Sequence, residues 1–275
     1  MVITGADGAP IVAGLADEAA APLTRRERQR QATHDEIVSV ARRVLSQPDG
    51  LTLRAVAAEM GMTAPALYRY VDGHQHLVLL VAQSVFADVH RALADAYARY
   101  PDDDPAAQLL AACTGFRRWA LANRAEFGLL FASASTAHHD KPVEPGSGED
   151  TFAAFFADIY LRVWDRYHFH IPTDDELDPD VLNALVEARD TGLLPCDFPG
   201  MPIGLSWLFI QAWARLYGTV TLEVFKHMNI GVIGSGALFR SMLDDNARDM
   251  GLDDDWPRLQ ALVDAEMKRS SVAAG

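Results

Sequence analysis

The sequence predicts an all-α protein with a small N-terminal helix-turn-helix domain and a larger helical bundle. Apolar residues recur at i, i+3, i+4 and i+7, proline and glycine divide the chain into helix-sized stretches, and no segment shows convincing strand alternation. Hydrophobic residues make up 49% and charged residues 23% of the 275 residues. This composition is typical of a globular protein and excludes a wholly disordered or collagen-like chain.

The sequence also indicates the cellular compartment. The chain has no apolar run of the roughly 20 residues that a membrane span needs and no basic segment followed by an apolar stretch at its start. We therefore expect a cytoplasmic protein with no membrane partner. Cys113 and Cys196 form neither a disulfide framework nor a CxxC metal pair.

Charge is distributed unevenly along the chain. Net charge is −3 over residues 1–23, +2 over residues 24–79 and −13 over residues 80–275. A slightly basic segment can bind phosphate although the whole chain is anionic. We interpret 1–23 as a disordered leader, 24–79 as the DNA-binding domain candidate and 80–275 as a second domain.

Two helices are predicted at the start of the basic segment. The first begins at a T-x-x-E capping box formed by Thr33 and Glu36 and ends before Pro48. The second follows Thr52 and stops at Gly61, because glycine readily adopts the left-handed conformation at a helix C-terminus.

A third helix, capped by Thr63 and carrying Pro65 in its first turn, completes the dimensions of a helix-turn-helix. Small residues at its leading end would let it enter a major groove about 12 Å wide. Tyr68 and Tyr70 follow and could reach phosphates or a thymine methyl group. From spacing alone an alternative stays open, in which Leu67 and the tyrosines belong to an ordinary helical hairpin.

Further helices are predicted beyond this segment. A long pattern from Leu77 to about Arg99 joins the two domains and ends before Pro101. Others are expected near 105–123, 125–132, 150–167, 178–190, 203–228, 233–249 and 256–269. Residues 135–148 are polar and contain proline and glycine, so we expect them to be mobile.

A close resemblance to the DNA-binding domain of the TetR family of transcriptional repressors is found in LTLRAVAAEMGMTAPALYRYV, residues 51–71. Its specific part is the spacing of Ala57, Gly61, Leu67, Tyr68 and Tyr70. The resemblance implies a homodimer that binds double-stranded operator DNA, with an all-helical effector domain after the fourth helix. Where family members often have Ser-Lys, this chain has Gly73 and His74, and a neutral histidine supplies less charge to a phosphate.

The C-terminal half shows a second resemblance. The motif WARLYGTVTLEV, residues 213–224, is similar to the regulatory domain of a TetR subgroup whose motif is Trp-x-x-Leu-His-Gly. Tyr217 replaces the histidine. We place the dimer face on the helices near 203–228 and 233–249, where small residues would allow close approach.

These observations define two candidate sites. The DNA-binding residues are expected to be base-facing side chains, phosphate contacts and a flexible arginine arm, namely Thr63, Ala64, Ala66, Tyr68 and Tyr70, then Arg54 and His74, then Arg25, Arg26 and Arg28. The effector pocket is expected among the aromatic residues Phe116, Trp119, Phe127, Phe131, Phe155, Tyr160, Trp164, Trp207, Trp213 and Tyr217. Aromatic residues at helical spacing more often form a core than a pocket, so a solid core is the alternative.

No catalytic or metal site is predicted. The chain has no G-x-S-x-G, Walker or H-E-x-x-H motif. Its histidines and aspartate at His138, His139, Asp140, His168 and His170 lack the spacing of zinc ligands. We therefore expect no enzyme and no cofactor, but a repressor released from a near-palindromic operator by a small, largely apolar effector. The alternative is an all-helical ligand-binding protein or enzyme with an incidental hairpin.

Overall fold

A computed structural model describes residues 24–47, 50–132, 147–192, 201–227 and 230–272. All regular structure in these ranges is helical, and no strand occurs within them, which confirms the predicted fold class. The expected leader and most of the segment expected to be mobile lie outside the described residues.

The first three helices, α1 (Arg25–Leu45), α2 (Leu53–Glu59) and α3 (Ala64–Leu67), form a unit that we call the head. Helix α1 begins earlier than predicted. Its capping box is formed by Thr24 and Glu27, where Thr24 Oγ1 accepts from the Glu27 amide at 3.3 Å and Glu27 Oε2 accepts from the Thr24 amide at 2.7 Å. The prediction at Thr33 and Glu36 was wrong because the preceding arginine, glutamine and alanine residues are strong helix formers.

Helix α2 agrees with its prediction, whereas α3 is shorter than predicted. Thr52 Oγ1 accepts from the Ala55 amide at 3.1 Å, and Gly61 ends the helix region at φ +65°. After Leu67 the chain continues in turns, with the Tyr70 amide donating to the Leu67 carbonyl at 2.9 Å. Aromatic and β-branched residues followed by Asp-Gly do not favour further helix.

Helix α4 (His74–Tyr97) connects the head to the remaining helices. Its length and its mean hydropathy of 1.5 would suit a membrane span. However, its apolar residues Val81, Val85 and Val89 are fully or almost fully buried against the other helices. It therefore packs as the core helix that both parts of the fold share.

The remaining helices form a bundle that we call the body. They are α5 (Pro105–Ala122), α6 (Arg124–Phe131), α7 (Gly148–Tyr167), α8 (Pro179–Asp190), α9 (Ile203–Val224), α10 (Ile230–Gly234), α11 (Ala237–Asp249) and α12 (Trp256–Val272). Helix α5 lies at the centre and contacts α4, α7, α9 and α12. The single helix predicted over 233–249 is divided at Gly236, which adopts the left-handed φ of +66° between α10 and α11.

Two fully buried carboxylates tie the body together. Glu223 on α9 accepts from Arg117 on α5 at 2.6 Å and 3.2 Å. Glu266 on α12 accepts from Arg99 at 3.1 Å and from the Tyr100 hydroxyl at 3.0 Å. Burial, and then the hydrogen bond to Glu266, raise the pKa of Tyr100 to about 12.

Candidate nucleic-acid interface and aromatic core

Helix α3 has one side in the head core and another in solvent. Leu67 is completely buried, whereas Tyr68, the next residue, is 54% exposed. Thr63 is exposed as well, and its hydroxyl makes no capping hydrogen bond. The hydroxyls of Thr63 and Tyr68 are thus available to an external partner, with Ala64 and Ala66 partly exposed between them.

Tyr70 is less exposed to solvent than Tyr68. It is half-buried and packs against the hydrophobic core of the head. Its ring therefore has a structural role besides any contact with DNA, which the spacing in the sequence did not indicate.

The residues expected to contact phosphate have different surroundings. Arg54 lies exposed in the first turn of α2. His74, the first residue of α4, has its Nε2 at 2.9 Å from the Leu51 carbonyl oxygen. This bond joins the start of α4 to the segment before α2.

Arg25, Arg26 and Arg28 were expected to form a flexible arm, and this expectation was wrong. All three lie in the first turns of α1, where Arg25 and Arg26 stand between the two residues of the capping box and Arg28 follows it. They are exposed on a helix, so their positive charge lies at the N-terminal end of α1 in the head.

Five of the predicted aromatic residues form a packed cluster in the body, namely Phe116, Phe127, Phe131, Trp213 and Tyr217. The Phe116 ring lies 5.5 Å from Phe131 and 5.8 Å from Trp213, measured between ring centroids. Phe127 lies 5.1 Å from Phe131, and Tyr217 is 6.1 Å from Trp213. The Tyr217 hydroxyl donates a short hydrogen bond to the Phe131 carbonyl. The rings fill the space between α5, α6 and α9.

A small apolar cavity adjoins this cluster. It has a volume of about 30 Å³ and lies between α5, α7, α9 and α11. Tyr160 and Trp213 are the two predicted pocket residues that line it, together with Cys113, Phe209 and the amide of Asn246. Burial raises the pKa of the Cys113 thiol to about 12 and raises the pKa of Tyr160 as well.

The remaining predicted pocket residues do not reach this cavity. Phe155 packs on Tyr97 at 5.8 Å, Trp119 is buried in the core, and Trp164 and Trp207 are half-buried elsewhere. Of the four tryptophans on α5, α7 and α9, only Trp213 lines this cavity. Tryptophans on α5, α7 and α9 point to several sides of these helices, which spacing along each helix could not show.

Sequence reasoning missed three members of the cluster, Phe86, His90 and Phe152. Phe86 and His90 lie one turn apart on α4, with ring centroids 6.4 Å apart, and both rings approach Phe152 on α7. His90 Nε2 is buried without a hydrogen-bond partner, and burial lowers the pKa of this histidine. The i, i+4 spacing of Phe86 and His90 was the signal that could have found them.

Among the residues that the structure describes, no three histidine, cysteine or carboxylate side chains converge as metal ligands. His168 and His170 lie on the exposed segment after α7. His138, His139 and Asp140 lie outside the described ranges.

Known proteins resemble both parts of the chain. Residues 109–246 match a family described as tetracyclin repressor-like, C-terminal domain. The chain is 30% identical over 210 residues to the HTH-type transcriptional regulator Rv1816 of Mycobacterium tuberculosis, which covers 73% of this chain and 84% of that protein. The HTH-type transcriptional regulator Mb1846 of Mycobacterium bovis gives the same values. A crystal structure of SCO4313, described as a regulatory protein, covers 81% of this chain and 98% of its own at 25% identity and a TM-score of 0.57.

Proposed function

Because the chain belongs to the TetR family of DNA-binding transcriptional regulators, we propose that it is a cytoplasmic, homodimeric repressor that a small apolar effector releases from its operator. In this proposal residues 24–79 bind DNA, and residues 80–275 dimerise and bind the effector. The exposed side of α3 is the observation that carries the proposal.

The head surface supports recognition in the major groove. Leu67 anchors α3 in the core, so the exposed Thr63 and Tyr68 present their hydroxyls at a fixed position. A hydroxyl can read base edges or bind phosphate, and the methyl groups of Ala64 and Ala66 can contact thymine. Arg54 and the three arginines at the start of α1 add charge for phosphates.

The proposed dimer face is the accessible side of α9. Trp207, Ile210 and Ala214 keep exposed surface there, at a spacing that places them along one stripe of the helix. Gly218 continues the stripe, and nothing lies within 4 Å of the position a Cβ would take. A second helix can therefore approach closely. Val232 on α10 adds an apolar side chain that is 43% exposed.

The proposed effector site is the aromatic cluster with its adjoining cavity. A volume of about 30 Å³ is far below the roughly 300 Å³ or more of ordinary ligand pockets. An effector must therefore part the rings, and it would stabilise an expanded body. If the expanded body holds the two heads at a spacing that does not match the operator, the effector and the DNA favour different conformations. Each ligand then weakens binding of the other by shifting the population of these conformations.

Selection of bound fragments from a random DNA pool tests the proposal. We expect a near-palindromic sequence, because one helix-turn-helix buries too little surface for tight binding. Tyr68→Ala should weaken binding of the selected site at least tenfold, at about 1.4 kcal/mol per tenfold. Val186→Ala, which shortens an exposed apolar side chain on α8 of the body, is the matched control. Equal binding by the parent and Tyr68→Ala would contradict the assignment of α3.

The effector is tested with the selected operator in hand. A compound that releases the DNA should change tryptophan emission over the same concentration range, because Trp213 lines the cavity. It should also speed alkylation of Cys113, whose burial and raised pKa otherwise keep the thiol unreactive. Release of DNA without either change would place the effector elsewhere.

A further inference from the structure

Arg42 on α1 connects the head to two helices outside it. Its Nε donates to Glu126 Oε1 on α6 at 2.7 Å, and its Nη1 lies 2.6 Å from Asp88 Oδ2 on α4. The same Nη1 donates to the Ser84 hydroxyl at 3.2 Å. The Glu126 hydrogen bond and then Asp88 raise the pKa of Arg42. One side chain thus joins α1, α4 and α6.

The region around Arg42 is otherwise open. A groove of about 710 Å³ lies between α1, α4 and α6, and it is lined by polar side chains and by two apolar ones, namely Gln31, His34, Asp35, Arg42, Arg43, Val38 and Leu80. The ion pairs of Arg42 cross this groove from α1 to α4 and α6.

Separating Arg42 from Glu126 is unfavourable unless another group pairs with the Glu126 carboxylate. Its side chain is only 13% exposed, and Oε2 is buried with no hydrogen-bond partner. If the head moved away from α6, Glu126 would remain as a buried carboxylate without its arginine, which is unfavourable. A displacement of α6 should therefore take Arg42, and with it α1, along.

Helix α6 also reaches the aromatic cluster from its other side. Phe127 and Phe131 belong to the cluster, and the Phe131 carbonyl accepts from Tyr217 on α9. A rearrangement of the rings would act on α6 directly. The path from the cluster to the head then runs through Glu126 and Arg42.

From this geometry we propose that Arg42 is the positioning residue that fixes the head on α6 and thereby sets the spacing of the two heads on DNA. This inference rests on the proposed operator binding. Arg42 itself is directed to α4 and α6, so its effect is on the choice of operator spacing and not on base contacts.

The test measures affinity for the selected operator and for versions whose half-sites are two base pairs closer or farther apart. The parent should strongly prefer one spacing. In Arg42→Met and Glu126→Gln we expect that preference to fall about fivefold or more, the size of an ordinary coupling between sites. Arg42→Lys keeps a charge but not the planar fork, so it should retain part of the preference.

Arg43→Met is the matched control, because Arg43 is the neighbouring arginine and pairs only loosely with Glu59 of the head at 3.6 Å. Its absolute affinity can change, but its spacing preference should stay that of the parent. The double variant Arg42→Met with Glu126→Met replaces the pair by apolar side chains, which often restores stability. This double variant should fold, and it should still bind operators whose half-site spacing is altered.

An unchanged spacing preference in Arg42→Met and in the double variant would overturn the role of Arg42. Failure of the parent to bind any selected DNA would instead contradict the proposed function. The two failures are therefore distinguishable within one set of measurements.

Discussion

The head and the body are stabilised by different kinds of side chain. The head core consists of aliphatic residues such as Ile37, Val44 and Leu67, all at most 1% exposed. The body core combines aliphatic residues with a cluster of aromatic rings, among them Phe116 and Phe127, and it also contains fully buried carboxylates. A tightly packed aliphatic core holds one surface rigidly, whereas rings beside a cavity can be repacked. The two parts of the molecule thus differ in how readily their cores can rearrange.

Among substitutions that test this difference between head and body, the largest change in stability is expected at the buried ion pair of the body. Glu223→Gln would leave the Arg117 guanidinium buried without a counter-charge, which should lower the free energy of unfolding by about 4 kcal/mol. Urea denaturation measures the change. Asp245→Asn is the control, because Asp245 and Arg248 form a pair at 2.8 Å with both side chains more than half exposed. A loss as small as in the control would show that buried charge contributes little to the body.

The next effect concerns the head core. Leu67→Ala removes a fully buried side chain, at a cost of about 3 kcal/mol. The head should then lose its fold, and operator binding with it. All five tryptophans lie after residue 80, so their emission should report an intact body. Leu79→Ala, at a 40% exposed position on α4, is the control. Simultaneous loss of native tryptophan emission would show that head and body fold as one unit.

The sequence predicted local features of the head better than the contacts between helices of the body. The start of α2 and the Gly61 stop followed from local signals, since caps and glycine act within one or two turns. The start of α1 was misplaced because the sequence offers a T-x-x-E box at Thr24 and again at Thr33. Only the helix itself shows which box is used.

In the body, helices could be predicted but their contacts could not. Periodicity shows that Trp119, Trp164 and Trp207 lie on helices, but not which neighbour each helix meets. His90 joined the aromatic cluster, and Arg42 paired with Glu126, through contacts between residues far apart in the chain. Such contacts depend on the packing of whole helices, which one sequence does not contain.

Substitutions of two threonines in the head should have smaller effects, one on folding stability and the other on DNA binding. Thr52→Ala removes the hydroxyl that caps α2 and should cost about 1 kcal/mol in unfolding free energy. Thr63→Ala, the matched variant, removes a hydroxyl that makes no capping bond. It should leave stability nearly unchanged and weaken operator binding. Equal stability losses in both variants would mean that Thr63 also acts as a cap, and an unchanged operator affinity in Thr63→Ala would remove it from the proposed contacts.

The smallest effect is expected from His90, where the aromatic cluster of the body meets α4. Burial lowers the pKa of His90 in the folded protein, and Nε2 has no hydrogen-bond partner there. As pH falls through about 6.5, the unfolded chain takes up a proton that the folded protein binds less readily, so stability declines with falling pH.

His90→Phe should reduce this decline, because it removes the titrating group and keeps a ring beside Phe86 and Phe152. Urea midpoints at pH 7.5 and 5.5 measure the difference for parent and variant. At pH 7.5 the variant should be at least as stable, since no hydrogen bond is lost at Nε2. Leu79→Ala, a substitution without a titrating group on the same helix, should keep the pH dependence of the parent. An equal decline in His90→Phe would show that His90 accepts its proton as readily in the fold as in the unfolded chain, and that the cluster tolerates charge.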